Sequence, residues 1–163
     1  MSLTQEGKKY IESVLNPLKF RLGMLTMLPS VWFWGVKVKH LDEDRCSIHL
    51  PYKWSSKNPF KSIYFAAQAG TAELSTGLLV QSKLKGRGKW SMLVTEFQSR
   101  FTKKASADVT YTCTDGAAIE DAISRSEQSG KGETVVVTAV GTMADGTQVG
   151  ECQITWSVYK KPA

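Results

Sequence analysis

The spacing of apolar residues changes several times along the chain, and each change marks a different element. Tyr10, Ile11, Val14, Leu15 and Leu18 recur at steps of three and four, which predicts an amphipathic helix over residues 4–22. Pro17 falls inside that stretch and is expected to kink or end it. Residues 24–29 are apolar without a period and are expected to cover an opening in the core. Residues 31–38 are rich in aromatic and β-branched side chains and read as a strand. Beyond Asp42-Glu43-Asp44, Cys46, Ile48 and Leu50 alternate with Arg45, Ser47 and His49, which predicts a hairpin with one buried face.

From residue 60 to residue 80 the pattern turns helical and the side chains become small. Nine of the twelve residues from Ala66 to Gly77 are Ala, Gly, Ser or Thr. Small side chains allow close approach of neighbouring backbone, so this helix is expected to be enclosed at the centre of the fold. A basic, glycine-containing loop is expected over 81–89. Strands are predicted over 91–101, 106–114, 133–143 and 148–160, with modest helical character over 117–127. Asp145-Gly146 between the last two is a hairpin signal. One antiparallel sheet wrapped on one helix is the simplest arrangement, an α+β fold in a single domain over 1–163. Within it, 1–29 reads as a helical extension and 30–160 as the core.

Composition narrows the class. With 163 residues, 42% of them hydrophobic, the chain can bury a core and is neither disordered nor fibrous. No apolar run reaches about 18 residues, so no membrane span is expected. The first residues lack the apolar stretch of a secretory signal, and three well-separated cysteines make no disulfide scaffold. A cytoplasmic protein is the expectation. The net charge of +6 is concentrated: Lys83, Lys85, Arg87, Lys89, Arg100, Lys103 and Lys104 stand against only Glu96 in residues 81–105. Such a cluster suits an anionic ligand, whether phosphates of a cofactor or RNA, and equally a solvated surface.

Chemistry is best sought on the central helix. Glu73 is a lone carboxylate among Ala, Gly, Thr and Leu, and enclosure there raises its pKa toward the range of a general base. Backbone N–H groups in the first turn are able to polarise a carbonyl oxygen. The bland alternative has Glu73 facing solvent or paired with a lysine. Cys46, Cys113 and Cys152 alternate with apolar neighbours and read as buried structural thiols. His40 and His49 lack the partners of a metal site. Gly86-Arg-Gly88 is too short for a phosphate-binding glycine signature. The tryptophans read as core and interface rather than as a base-stacking platform, so nucleic-acid binding is a minor alternative.

The segment Asn58-Pro-Phe-Lys-Ser-Ile-Tyr-Phe-Ala-Ala-Gln-Ala-Gly-Thr-Ala-Glu73 resembles the signature of hotdog-fold acyl-CoA thioesterases, in the phenylacetic-acid-degradation branch and its uncharacterised-domain relatives. That signature has an Asn, a His-Gly-Gly opening the central helix, and an acid nine residues after the His. Tyr64, Phe65 and Ala66 hold the His-Gly-Gly positions, and Glu73 follows Tyr64 by nine. Phe101-Thr-Lys-Lys-Ala105 and Asp108-Val-Thr resemble the family's strand-to-strand turn. The resemblance spans roughly 30–159.

It implies a hotdog fold and a homodimer, possibly a tetramer, with active sites between subunits. Glu73 takes the role of nucleophile or general base, the Phe65 amide polarises the thioester carbonyl, and Asn58 positions water or substrate. Tyr64 and Gln68 are expected to contact substrate, and Lys83, Lys85, Arg87 and Lys89 to meet the phosphates of coenzyme A or an acyl carrier. Coenzyme A enters only as part of the substrate, with no separate cofactor. The departures also count. Tyr-Phe-Ala removes the glycines that let a ligand approach, Lys104 replaces a Pro, and Val94 stands where an assisting Ser is usual, with Ser91 and Thr95 out of register. An acyl-binding protein without turnover is the alternative these departures raise.

Overall fold

The computed structural model describes residues 3–162; Met1, Ser2 and Ala163 of the expected single domain lie outside it. Three helices open the chain. Thr4 caps α1 (Gln5–Leu15), its Oγ1 accepting from the Gly7 N–H at 2.9 Å. Asn16 then ends α1 and caps α2 (Pro17–Met27), its Oδ1 accepting from the Leu18 and Lys19 N–H groups at 3.1 and 3.0 Å. Pro17 therefore starts a second helix rather than kinking one, because its missing N–H costs nothing at the first helical position. The irregular segment expected from residue 24 is, as far as Met27, the last turn of α2.

The strand expected over 31–38 is corrected to α3 (Pro29–Trp34) followed by β1 (Lys37–Leu41). Pro29 at the first position and Gly35 in the left-handed region at φ 70° punctuate a short helix, and these signals outweigh the strand preference of Val, Trp and Phe. The helix sets Trp34 against the central helix. A Cβ at Gly70 would lie 2.9 Å from the Trp34 ring, so glycine is required there for this contact.

The remaining elements are β2 (Cys46–Leu50), α4 (Phe65–Leu84), β3 (Trp90–Phe101), β4 (Val109–Cys113), α5 (Gly116–Ser129), β5 (Glu133–Met143) and β6 (Gln148–Lys160). They form a six-stranded antiparallel sheet in the order β1-β2-β4-β5-β6-β3, so β3, which follows the central helix, returns to the far edge. The sheet wraps α4, and this is the hotdog fold. Fourteen of the twenty α4 residues are buried. Their hydroxyls are satisfied within the helix: Thr71 donates to the Ala67 carbonyl at 2.7 Å, Ser75 to Ala72 at 2.7 Å and Ser82 to Leu79 at 2.8 Å. The facing strands supply Ile48, Leu50, Val109, Tyr111, Val137 and Ile154, each buried.

Two boundaries shift with consequences for the site. The central helix starts at Phe65 rather than near residue 60, so residues 57–64 form an approach loop. It also runs on to Leu84, so half of the expected basic loop is helix. Among the described residues no helix is long and apolar enough to cross a membrane.

Candidate active site

The approach loop is built around Asn58. Its Oδ1 accepts from the Phe60 N–H (3.0 Å), the Ser62 N–H (3.2 Å) and the Ser62 hydroxyl (3.1 Å), holding a tight turn in which Lys61 takes φ 57°. The Ile63 N–H donates to the Ala105 carbonyl at 2.9 Å and the Tyr64 N–H to Ser56 at 2.7 Å, which fixes where α4 begins. Asn58, expected to position water or substrate, has its carbonyl oxygen engaged in shaping the loop.

Tyr64 opens α4 with no side-chain cap, so the N–H groups of Phe65 and Ala66 begin the helix without an acceptor from its N-cap. The rings of Tyr64 and Phe65 meet edge to face at 5.1 Å and are exposed, Phe65 by 58%. Gln68, expected to contact substrate, lies in the core. It is 5% exposed, donates to the Ile63 carbonyl at 3.3 Å and accepts from the Tyr111 hydroxyl at 3.0 Å. A buried amide with both ends satisfied locks core to loop and is not presented to a substrate.

Glu73 lies two turns further along α4 and lines a cavity of about 380 Å³. The floor is Leu74, Gly77, Leu78 and Gln81 of α4, with Met92 and Trp156 beside it; the roof is Tyr10 and Val14 of α1 with Phe20, Gly23, Met24, Met27 and Leu28 from α2 onward. The apolar segment expected to cover an opening therefore does so, with its Met residues carried on a helix. Trp156 is held by its Nε1–H donating to Thr76 Oγ1 at 2.9 Å. Glu73 is half-buried, and desolvation raises its carboxyl above the usual 4.5. Desolvation is the sole cause of that rise, with no neighbouring cation opposing it. The bland reading, in which Glu73 pairs with a lysine, does not hold among the described residues.

The four basic residues separate. Lys83 and Arg87 turn inward to Glu120 of α5, at 3.8 and 2.7 Å, with only 4% and 7% of their side chains exposed. Their expected contact with phosphates is corrected by this buried network, which Glu127 joins at 3.9 Å from Arg87. Lys85 and Lys89 are exposed, and Lys85 also lines the cavity, its ammonium 5.2 Å over the Tyr10 ring.

Val94 packs against the core, and a bulge after it turns Thr95 onto the Thr155 carbonyl at 3.3 Å, so Met92 is the β3 residue that lines the cavity. Cys46, Cys113 and Cys152 are fully buried; burial pushes the Cys113 thiol up to about 12 and Cys152 to about 11. Such thiols stay protonated and unreactive. Among the described residues no group of three or more potential ligands can hold a metal.

Phe20, Gly23 and Gln81 carry no role in the reading from sequence, and Tyr10 enters it only as part of the helical period. The signal for Phe20 and Gly23 is their spacing with Met24 and Met27 along one face of α2, visible only once Pro17 is taken as a helix start.

Residues 18–158 match the family described as a domain of unknown function, DUF4442. The chain belongs to this family. Its match begins inside the segment expected to be an N-terminal addition, which agrees with α2 roofing the cavity. No curated protein matches it. Among solved structures, this DUF4442 chain resembles a Pseudomonas aeruginosa protein of unknown function, PA5026, described as a probable thioesterase (18% identity, 99% of each chain, TM-score 0.75). It also resembles the Haemophilus influenzae thioesterase HI1161 (12%, 85% of this chain and 88% of that, TM-score 0.61). A third likeness is to a mutant of the Pseudomonas aeruginosa thioesterase PA1618 (12%, 88% and 94%, TM-score 0.67). At these identities the likeness establishes the shared hotdog fold.

Proposed function

We propose that this protein is a thioesterase acting on an acyl group carried by coenzyme A or an acyl carrier, with Glu73 as general base or nucleophile. The observation that carries this reading is a desolvated carboxylate on the central helix, paired with no cation among the described residues, facing a cavity with a largely apolar roof and floor. As a base, Glu73 takes a proton from water as the oxygen attacks the thioester carbonyl carbon. The C–S bond then breaks and the thiolate leaves as the free thiol. The shared fold with thioesterases is consistent with this chemistry.

The carbonyl oxygen needs a donor, and the uncapped N–H groups of Phe65 and Ala66 are suited to that role. Eight residues of helix, a rise of about 12 Å, separate Phe65 from Glu73 in one chain. One small group cannot reach both, which favours a homodimer in which each site combines Glu73 of one subunit with the helix start of the other. The β3 edge supports such pairing: it is twelve residues long, lies at the border of the sheet and exposes Leu93, Phe97 and Phe101. Lys89 is exposed and outside the cavity lining, which suits it to meet carrier phosphates, whereas Lys85 stands at the Gln81 end of the cavity; a cytoplasmic location is consistent with that substrate.

The second reading, an acyl-binding protein without turnover, is favoured by the Tyr64 and Phe65 rings beside the helix start. Thiol release from a panel of acyl-CoAs separates the two. Turnover by wild type that is lost in Glu73→Ala supports the enzyme; binding with no turnover on any thioester supports the binder.

A further inference from the structure

Two glycines face the cavity from opposite walls, and they differ in why they are glycine. At Gly77 on α4, a Cβ would lie 3.2 Å from the Trp156 ring and 3.4 Å from Glu73 Oε1, so packing restricts that position. At Gly23 on α2, nothing lies within 4 Å of where a Cβ would be. Gly23 is also not among the glycines with positive φ. Glycine in a helix interior is less favourable than almost any other residue, and here neither backbone conformation nor packing calls for it. What the missing side chain leaves is space, in the roof of the one described cavity that Glu73 lines.

The walls state what fits that space. Phe20, Met24, Leu74, Leu78 and Met92 give it an apolar stretch in which the two Met are pliable, which suits a flexible aliphatic chain, while Lys19, Gln81 and Lys85 also line the cavity. From Glu73 the lining residues step along one face of α4 to Gln81, a rise of about 12 Å. There the Tyr10 hydroxyl donates to Gln81 Oε1 at 2.5 Å and joins α1 to α4. An extended chain advancing about 1.3 Å per carbon covers that length in eight to ten carbons.

We propose that Gly23 determines acyl-chain length: its bare backbone opens the roof for a straight-chain acyl group of medium length, whose carbonyl lies at Glu73 and whose tail runs between α2 and α4 toward Gln81. This rests on the thioester reading of Glu73 given above.

The test compares wild type with Gly23→Leu on butyryl-, octanoyl- and decanoyl-CoA, with calorimetric titration of the matching S-alkyl-CoA thioethers, which cannot be hydrolysed. Gly23→Ala serves as the folding control and should melt no lower than wild type. The expected result is a fall of about tenfold or more in the ratio of kcat/KM for decanoyl over butyryl in Gly23→Leu, since several methylenes lose their place. Activities that fall alike on long and short chains, or an unchanged profile, overturn the proposal. If wild type turns over no thioester, the catalytic reading fails and the thioethers decide alone. Affinity that rises with chain length in wild type and not in Gly23→Leu upholds the subsite, and affinity independent of length overturns it.

Discussion

Two glutamates flank the central helix, and their surroundings are opposite. Glu120 approaches α4 from α5 and meets Arg87 at 2.7 Å and Lys83 at 3.8 Å in a nearly closed interior. Glu73 projects from α4 itself into a cavity, with no cation to offset its desolvation. The first arrangement pairs the acid with two cations and joins two elements. The second leaves a carboxylate that holds its proton more tightly than usual, next to space for a ligand. Burial of an acid is thus uninformative alone; whether a cation was buried with it separates structural from chemical use.

The sharpest way to break this contrast is Glu73→Gln, which keeps shape and removes the base. Turnover on a wild-type substrate should fall by about two to four orders of magnitude, measured as thiol release, while the melting temperature does not fall. A variant retaining full rate would move the chemistry elsewhere. Glu120→Ala should do the reverse. Leaving Arg87 and Lys83 buried without their anion costs about 3 kcal/mol or more in urea unfolding, and replacing all three by Leu and Met should recover most of it.

A subtler difference lies in pH. Because the folded-state pKa of Glu73 is raised, the native state binds more protons than the unfolded chain between the usual 4.5 and the raised value. Stability therefore declines as pH rises through that window. Glu73→Gln should lose this decline, so its advantage over wild type in urea midpoint should be seen near pH 8 and vanish below pH 4.5. The smallest effect concerns an exposed cation. Lys89→Ala should raise KM for a CoA thioester a few-fold at low ionic strength and hardly at all in high salt. Lys83→Ala should instead show itself as lost stability.

Local patterning carried a large part of the fold. β5 and β6 lie where alternation and the Asp145-Gly146 turn put them, because a hairpin's signals are contained in its own residues. The small residues of α4 announced an enclosed helix, and a lone acid among them drew attention to Glu73. The stretch around Trp32 and Trp34 misled because side-chain preference spoke for a strand while Pro29 and Gly35 bounded a helix. Lys83, Lys85, Arg87 and Lys89 looked alike as a run of charge. Their separation into inward and outward groups depends on α4 continuing to Leu84, and on Glu120 arriving from an element more than thirty residues away.

The sequence by itself determined the strand periodicity of the late hairpin, the crowding of α4 and the oddity of Glu73, since each follows from spacing and side-chain size along a short stretch. Tertiary structure alone decided that α2 roofs a cavity over Glu73, that Asn58 and Gln68 build the loop and core, and that two of four cations are locked inside. Those outcomes depend on which distant groups meet, and a contact across the fold leaves no mark in the spacing of either partner.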